Sequence, residues 1–222
     1  MEGVTVVRDG AFVGCTAPTR FRARKAVDAL ARGAKWSNPP QPAASEGLAD
    51  YLLANTREGS GRSRGREDAR GEVDGAFQAA AQTLEDTYFI PFIQHAPMET
   101  RSAVAEWSEG RLTVWAGTQR PFDVRGELAE AFGLAEDKVR LIMPDTGGGF
   151  GGKHRGDAAI EAARLALAVE MPVSLQWTRD EEFMWAYFRP AGVMTMRAAL
   201  DAEGAVTAWE HVNFNAGTSS LG

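Results

Sequence analysis

The stretch of this chain most suited to chemistry is Pro144-Asp145-Thr146-Gly147-Gly148-Gly149-Phe150-Gly151-Gly152-Lys153-His154. From Gly147 to Gly152 only Phe150 carries a side chain. Glycine there permits positive φ and lets a ligand lie directly against backbone amides. Val139 to Met143 before it reads as a strand, and the nearly all-apolar Ala158 to Val169 after it as a buried helix. In that setting the loop and the helix start would present N–H groups to an anion. A plain flexible connector is the bland alternative, and a Phe set among glycines between strand and helix speaks against it. Two phosphate-binding patterns also fit. Gly147, Gly149 and Gly152 satisfy G-x-G-x-x-G, although a run of glycines satisfies almost any glycine pattern. The acid expected about 20 residues further on arrives late, at Asp180. Gly147 through Lys153 satisfies G-x-x-x-x-G-K, but His154 stands where a Mg²⁺-binding Ser or Thr is required. A nicotinamide-dependent dehydrogenase is therefore retained as the alternative function, and a triphosphatase is disfavoured.

The elements that must hold this loop are legible around it. Val4 to Val7 and Ala11 to Cys15 flank Asp9-Gly10, a hairpin signal, and Thr19 to Leu30 follows with helical periodicity. Those first 36 residues are too few to bury a core, so 1–36 reads as the C-terminal part of a preceding α/β domain. Residues 37–72 read as an exposed linker, from the extended Asn38-Pro39-Pro40-Gln41-Pro42 to the Arg- and Gly-rich Arg57–Arg70. Residues 73–222 are dense. A short helix at 76–81, a strand at 84–93 and a hairpin at 101–116 come first. A helix then opens at Pro121, with Phe122, Leu128, Ala129 and Phe132 on one face and Gly133 as its stop. After the loop and the buried helix come an alternating strand at 173–177 and a hairpin over 193–214. The mixture predicts an α+β fold, with mixed sheets and packed helices.

Composition sets the outer limits. A net charge of −6 and a pI near 5.2 argue against a nucleic-acid partner held by bulk charge. The arginines of 57–70 are offset by Glu58, Glu67 and Asp68, with no aromatic interleaved. One cysteine, Cys15, leaves no internal disulfide, no Cys-rich zinc site and no iron–sulfur cluster carried by this chain alone. No apolar run approaches the ~20 residues of a membrane span. Met1-Glu2-Gly3-Val4 lacks a signal-peptide start, which fits the cytoplasm.

Gly-Gly-Gly-Phe-Gly-Gly-Lys resembles the signature loop of the molybdopterin-binding subunit of the xanthine dehydrogenase and aldehyde oxidase family. The resemblance extends to His95-Ala96-Pro97-Met98-Glu99, to Thr113–Gln119, to Trp177–Glu182 and to Asn215-Ala216-Gly217, in the same order. It covers roughly residues 85 to 217 and is greatest toward the bacterial isoquinoline oxidoreductase type. The resemblance implies a first molybdopterin-binding domain over 73–222, itself incomplete. It implies hydroxylation of an aldehyde or N-heterocycle with water, and molybdopterin as cofactor, in some members as its cytosine dinucleotide. It matches Gln119 to the glutamine that hydrogen-bonds an oxygen ligand of molybdenum. Phe150 and Gly151 fall where the backbone lies beside the metal, and Gly148, Gly149 and Gly152 where room and amides are supplied. None of these is a direct metal ligand. Glu99 and His154 become candidates for the substrate side, and Trp185, Tyr187 and Phe188 for a channel wall. His154 stands where purine-oxidising members carry glutamate, which puts a purine substrate in doubt. The family's catalytic glutamate lies beyond residue 222. The implied partners are a second molybdopterin-binding domain or subunit, an iron–sulfur subunit and a small-molecule substrate, and this stretch alone is expected to be inactive. Export with a partner bearing a twin-arginine signal is the alternative localisation, and a non-catalytic remnant the remaining alternative function.

Overall fold

The hairpin opens on Gly10 at φ +59°, the left-handed geometry an Asp-Gly turn needs. In the computed structural model, which describes residues 2–35, 37, 44–57, 65 and 67–217, β1 (Thr5–Asp9) and β2 (Phe12–Thr16) pair antiparallel across it. α1 (Arg20–Gly33) follows, its first turn capped by Thr19, whose hydroxyl oxygen accepts from the Arg22 N–H at 3.3 Å. Only Ala26 of its expected apolar stripe is buried, and Phe21 is 70% exposed. Cys15 is buried beneath this helix. Its thiol lies 3.5 Å from the Ala23 carbonyl oxygen, and burial pushes its pKa up.

Contacts divide the described residues into two compact units. The first joins those of 1–38 to 94–188, the second those of 39–93 to 189–222. In the first, β4 (Ser102–Ser108), β5 (Arg111–Ala116), β6 (Val139–Ile142) and β7 (Val173–Gln176) form one sheet in the order β6-β5-β4-β7. The β4–β5 turn uses Glu109 and Gly110, both at positive φ. One face carries Ala103 and Ala105 of β4 and Leu112, Val114 and Ala116 of β5. α4 (Pro121–Phe132) covers it with Val124, Leu128 and Ala129, and α5 (Asp157–Val169) with Ala159, Ala162, Ala163 and Ala166. Methyl side chains let α5 lie close on the sheet, close enough for the Trp107 indole N–H to donate to the Ala163 carbonyl at 2.8 Å. The same helix takes the N-terminal hairpin on its flank: Leu165 lies against Gly14 and Arg164 pairs with Asp9 at 3.1 Å.

The second unit is an antiparallel sheet β3-β8-β9, from β3 (Gln82–Ile90), β8 (Gly192–Leu200) and β9 (Val206–Asn215). α2 (Leu48–Ala54) and α3 (Val73–Ala79) pack on β8 and β9. The fold is α+β, as expected.

Two local expectations are corrected and one element is added. Phe122 is 78% exposed, with the Arg125 guanidinium over its ring; Val124 takes the inward position, in step with Leu128. Within the stretch read as linker, Leu48, Ala49, Tyr51 and Leu52 form a half-buried helical stripe on α2. Asn38 to Pro42 and most of Arg57–Arg70 lie outside the described residues. α6 (Arg179–Trp185) is an addition to the expected elements; Thr178 and Glu181 close it with a reciprocal capping box.

Candidate functional site: the glycine loop

The loop leaves β6 and is gripped by side chains from the other strands. Gln119 follows β5. Its side-chain oxygen accepts from the Gly151 N–H at 3.0 Å and the Lys153 N–H at 3.2 Å. Its own N–H donates to the Lys153 carbonyl at 2.9 Å, where the Thr118 hydroxyl also donates. Because the oxygen end of this exposed amide is occupied by the loop, the NH₂ end is turned away from it, with no acceptor among the described residues. Gly149 permits that approach: a Cβ there would sit 2.5 Å from the Gln119 oxygen.

Lys153 is buried, with its ammonium 2.8 Å from Glu99, whose same oxygen accepts from the Gly147 N–H at 2.9 Å. Glu99 thereby latches the start of the loop to its end. Burial acts to raise its pKa, but hydrogen bonds from Lys153 and the Gly147 N–H, with the lysine charge, outweigh that and hold the carboxyl below its ordinary value. A lowered carboxyl stabilises the fold above its unfolded pKa, and the contribution fades as pH falls through the folded one. The melting temperature of the parent should exceed that of Glu99→Gln near neutrality, and the gap should close as the pH falls through the lowered pKa of the folded state. A gap independent of pH would show the ion pair to be irrelevant to stability.

The turn itself is strained where it is most open. Gly148 and Gly151 have φ of +89° and +93°, and Phe150, a residue with a Cβ, stands at +53° with its ring 72% exposed. A non-glycine residue in this region costs about 1–2 kcal/mol, and such strain gathers at ligand clamps. The Gly152 N–H closes the turn onto the Gly149 carbonyl at 2.8 Å. Among the described residues the N–H groups of Gly148, Gly149 and Phe150 have no acceptor. Consecutive free amides of this kind form an anion-binding nest.

His95 lies against Gly152 and is stacked on Tyr187, 5.9 Å between ring centres. Desolvation lowers its pKa, a hydrogen bond with the Tyr187 backbone acts the other way, and the charges of Arg101 and His154 lower it further. Its Nδ1, the His154 Nδ1 and the Tyr187 hydroxyl are buried without hydrogen-bond partners among the described residues. Trp185 is 71% exposed.

Two readings of the loop change. The α5 N-terminus does not serve it: residues 153–156 intervene, and the Glu127 carboxylate takes the Gly156 N–H at 2.8 Å. The dinucleotide alternative also loses its support. β6 and β7, the strands joined by α5, lie on opposite edges of the sheet, not side by side, and Asp180 sits on α6 instead of a strand end.

Residues 58–221 match the family model described as the molybdopterin cofactor-binding domain. The chain belongs to this family. Within it, the chain is a relative of the molybdopterin-binding subunits of xanthine dehydrogenases and aldehyde oxidases. It is 32% identical over 207 residues to a nicotinate dehydrogenase component of Pseudomonas putida, covering 93% of this chain and 17% of that one. It is 33% identical over 121 residues to the beta component of isoquinoline 1-oxidoreductase from Brevundimonas diminuta, 54% of this chain and 16% of that one. Among solved structures, quinoline 2-oxidoreductase from Pseudomonas putida superposes with a TM-score of 0.71 at 27% identity, over 93% of this chain and 28% of that one. The chain thus spans less than a fifth of the length of these two curated relatives.

The loop suits the family's cofactor on its own evidence. An anionic, oxygen-rich pterin needs close backbone approach and N–H donors, and the three unpaired amides, the outward NH₂ of Gln119 and the missing Cβ of Gly149 supply them. Among the described residues no three His, Cys, Asp or Glu side chains converge as a metal-ligand set, and none of their helices is long and apolar enough to cross a membrane.

Proposed function

We propose that this chain forms the loop-bearing part of a molybdenum hydroxylase large subunit that oxidises an aldehyde or an N-heterocycle. Electrons would pass to a partner iron–sulfur subunit, and a second molybdopterin-binding domain or subunit would complete the pocket. The observation that carries this reading is the polarity of Gln119: its oxygen is held by Gly151 and Lys153, so its NH₂ is the end available to the cofactor. When bound, the molybdopterin supplies the two-electron redox chemistry.

The chain's own residues bind and orient. Gly148, Gly149 and Phe150 offer amides, Gly151 and Gly152 keep side chains out of the way, and Gln119 donates one bond whose direction is preset. Bonds to charged groups contribute about 1.5–3 kcal/mol each. His154 and Glu99 stand toward the substrate side. Glu99 also holds the loop, since the oxygen that binds Lys153 accepts from the Gly147 N–H.

The test is Gln119→Ala against Gln119→Glu in the assembled enzyme, reading molybdenum per chain and turnover of an aldehyde and an N-heteroaromatic acid. Both variants should lose at least about tenfold in turnover, because glutamate restores the acceptor but not the donor. Full activity in Gln119→Glu would refute the donor role.

A further inference from the structure

Arg101, just before β4, is 4% exposed, and its partner Glu182 on α6 is fully buried. The Arg101 Nη1 donates to one oxygen of that carboxylate, and its main-chain N–H donates to the other at 2.9 Å. Its Nη2 donates to the Gly152 carbonyl oxygen. Its Nε stands 3.7 Å from Asp157 in the first turn of α5, and its guanidinium lies 5.4 Å from the Trp177 ring centre. A buried ion pair is commonly replaceable by apolar residues at no cost. An apolar replacement would reproduce neither the bond to Gly152 nor the bond that Glu182 accepts from the Arg101 main-chain N–H.

We propose that Arg101 is the positioning residue of the glycine loop. It fixes the Gly152 carbonyl and with it the Lys153 N–H of the same peptide unit; that N–H and the Gly151 N–H, one residue before Gly152, together set the amide of Gln119. A planar fork can hold a carboxylate and a carbonyl at once, whereas an ammonium cannot match that geometry. Glu182 supplies the countercharge that keeps the fork in place, and Trp177 the flat surface beside it. What the loop is positioned for rests on the cofactor reading above; that the loop is positioned by Arg101 does not.

Hydrogen exchange of the loop amides, measured on the assembled protein with its natural partners, separates these roles. Two variants are needed: Arg101→Lys, which keeps the charge, and Arg101→Met with Glu182→Leu, which removes the pair together. In both, whatever the shift in melting temperature, the Gly151 and Lys153 amides should exchange about tenfold faster, as expected for one lost charge-assisted bond. Exchange in β4 and β5 should stay as in the parent. If the double variant fails to fold, Arg101→Lys alone decides. Parent-like loop exchange in the variants that fold would overturn the proposal and leave Arg101 as a mere countercharge for Glu182. Molybdenum content is read separately. An assembled parent that carries no molybdenum or pterin would refute the cofactor reading, whereas faster loop exchange in the variants would still support the positioning role.

Discussion

The Gly149→Ala variant is expected to fold like the parent chain and to lose about 10- to 100-fold in affinity for its cofactor. Gly149 has no positive φ, so the backbone accepts a methyl group without strain. The methyl would stand 2.5 Å from the side-chain oxygen of Gln119 and 2.8 Å from its Cδ. Gln119 is exposed and its side chain can swing, so the collision is resolved by moving it. Moving it breaks the bonds to the Gly151 and Lys153 amides at 3.0 and 3.2 Å. Each is worth about 0.5–1.5 kcal/mol, and the NH₂ loses its preset direction as well. Molybdenum and pterin per chain after gel filtration measure the loss, and a thermal melt checks the fold. A variant that retains parent-level cofactor would show that the Gln119–loop contact does no positioning.

The largest effect on stability is expected from Glu182→Leu alone. It leaves the Arg101 guanidinium buried without its countercharge and the Arg101 N–H without an acceptor. Breaking one partner of a buried pair costs about 3–5 kcal/mol. Spread over a unit of this size, that lowers the melting temperature by on the order of 10 °C. Asp157, 3.7 Å from Arg101, would recover part of it. Its pKa is raised chiefly by burial, with Arg101 opposing, and a guanidinium released from Glu182 has this carboxyl within reach. A loss below about 1 kcal/mol by urea titration would mean that the site rehydrates.

What can be read from the sequence follows the range of the forces involved. The Glu109-Gly110 turn, the Pro121 start and Gly133 stop of α4, and the alanine-rich α5 are specified by neighbours in sequence, and they appear where expected. α6 carries its own signal in Thr178 and Glu181, three residues apart, and α2 in Leu48, Ala49, Tyr51 and Leu52; both are masked by the polar residues around them. Phe122 misleads because helical periodicity cannot tell the inward face from a first-turn position that projects past the sheet. At the site, the glycine loop announces itself, and Gln119 is reached through family resemblance. The Arg101–Glu182 contact joins residues 81 apart, and the Glu99–Lys153 latch residues 54 apart. No local pattern encodes such pairings. They follow only once β4, β5 and β7 are aligned and the loop is folded back between them.

Cys15 offers a measurement that needs no engineering. It is the chain's single thiol, it is buried in the N-terminal hairpin beside Ala23, and burial raises its pKa. A protonated, covered thiol is a poor nucleophile, so a maleimide or disulfide reagent can modify it only while the hairpin and α1 are parted. The rate of that labelling counts openings of one named part of the molecule, in the unmodified natural chain, under conditions where the rest stays folded.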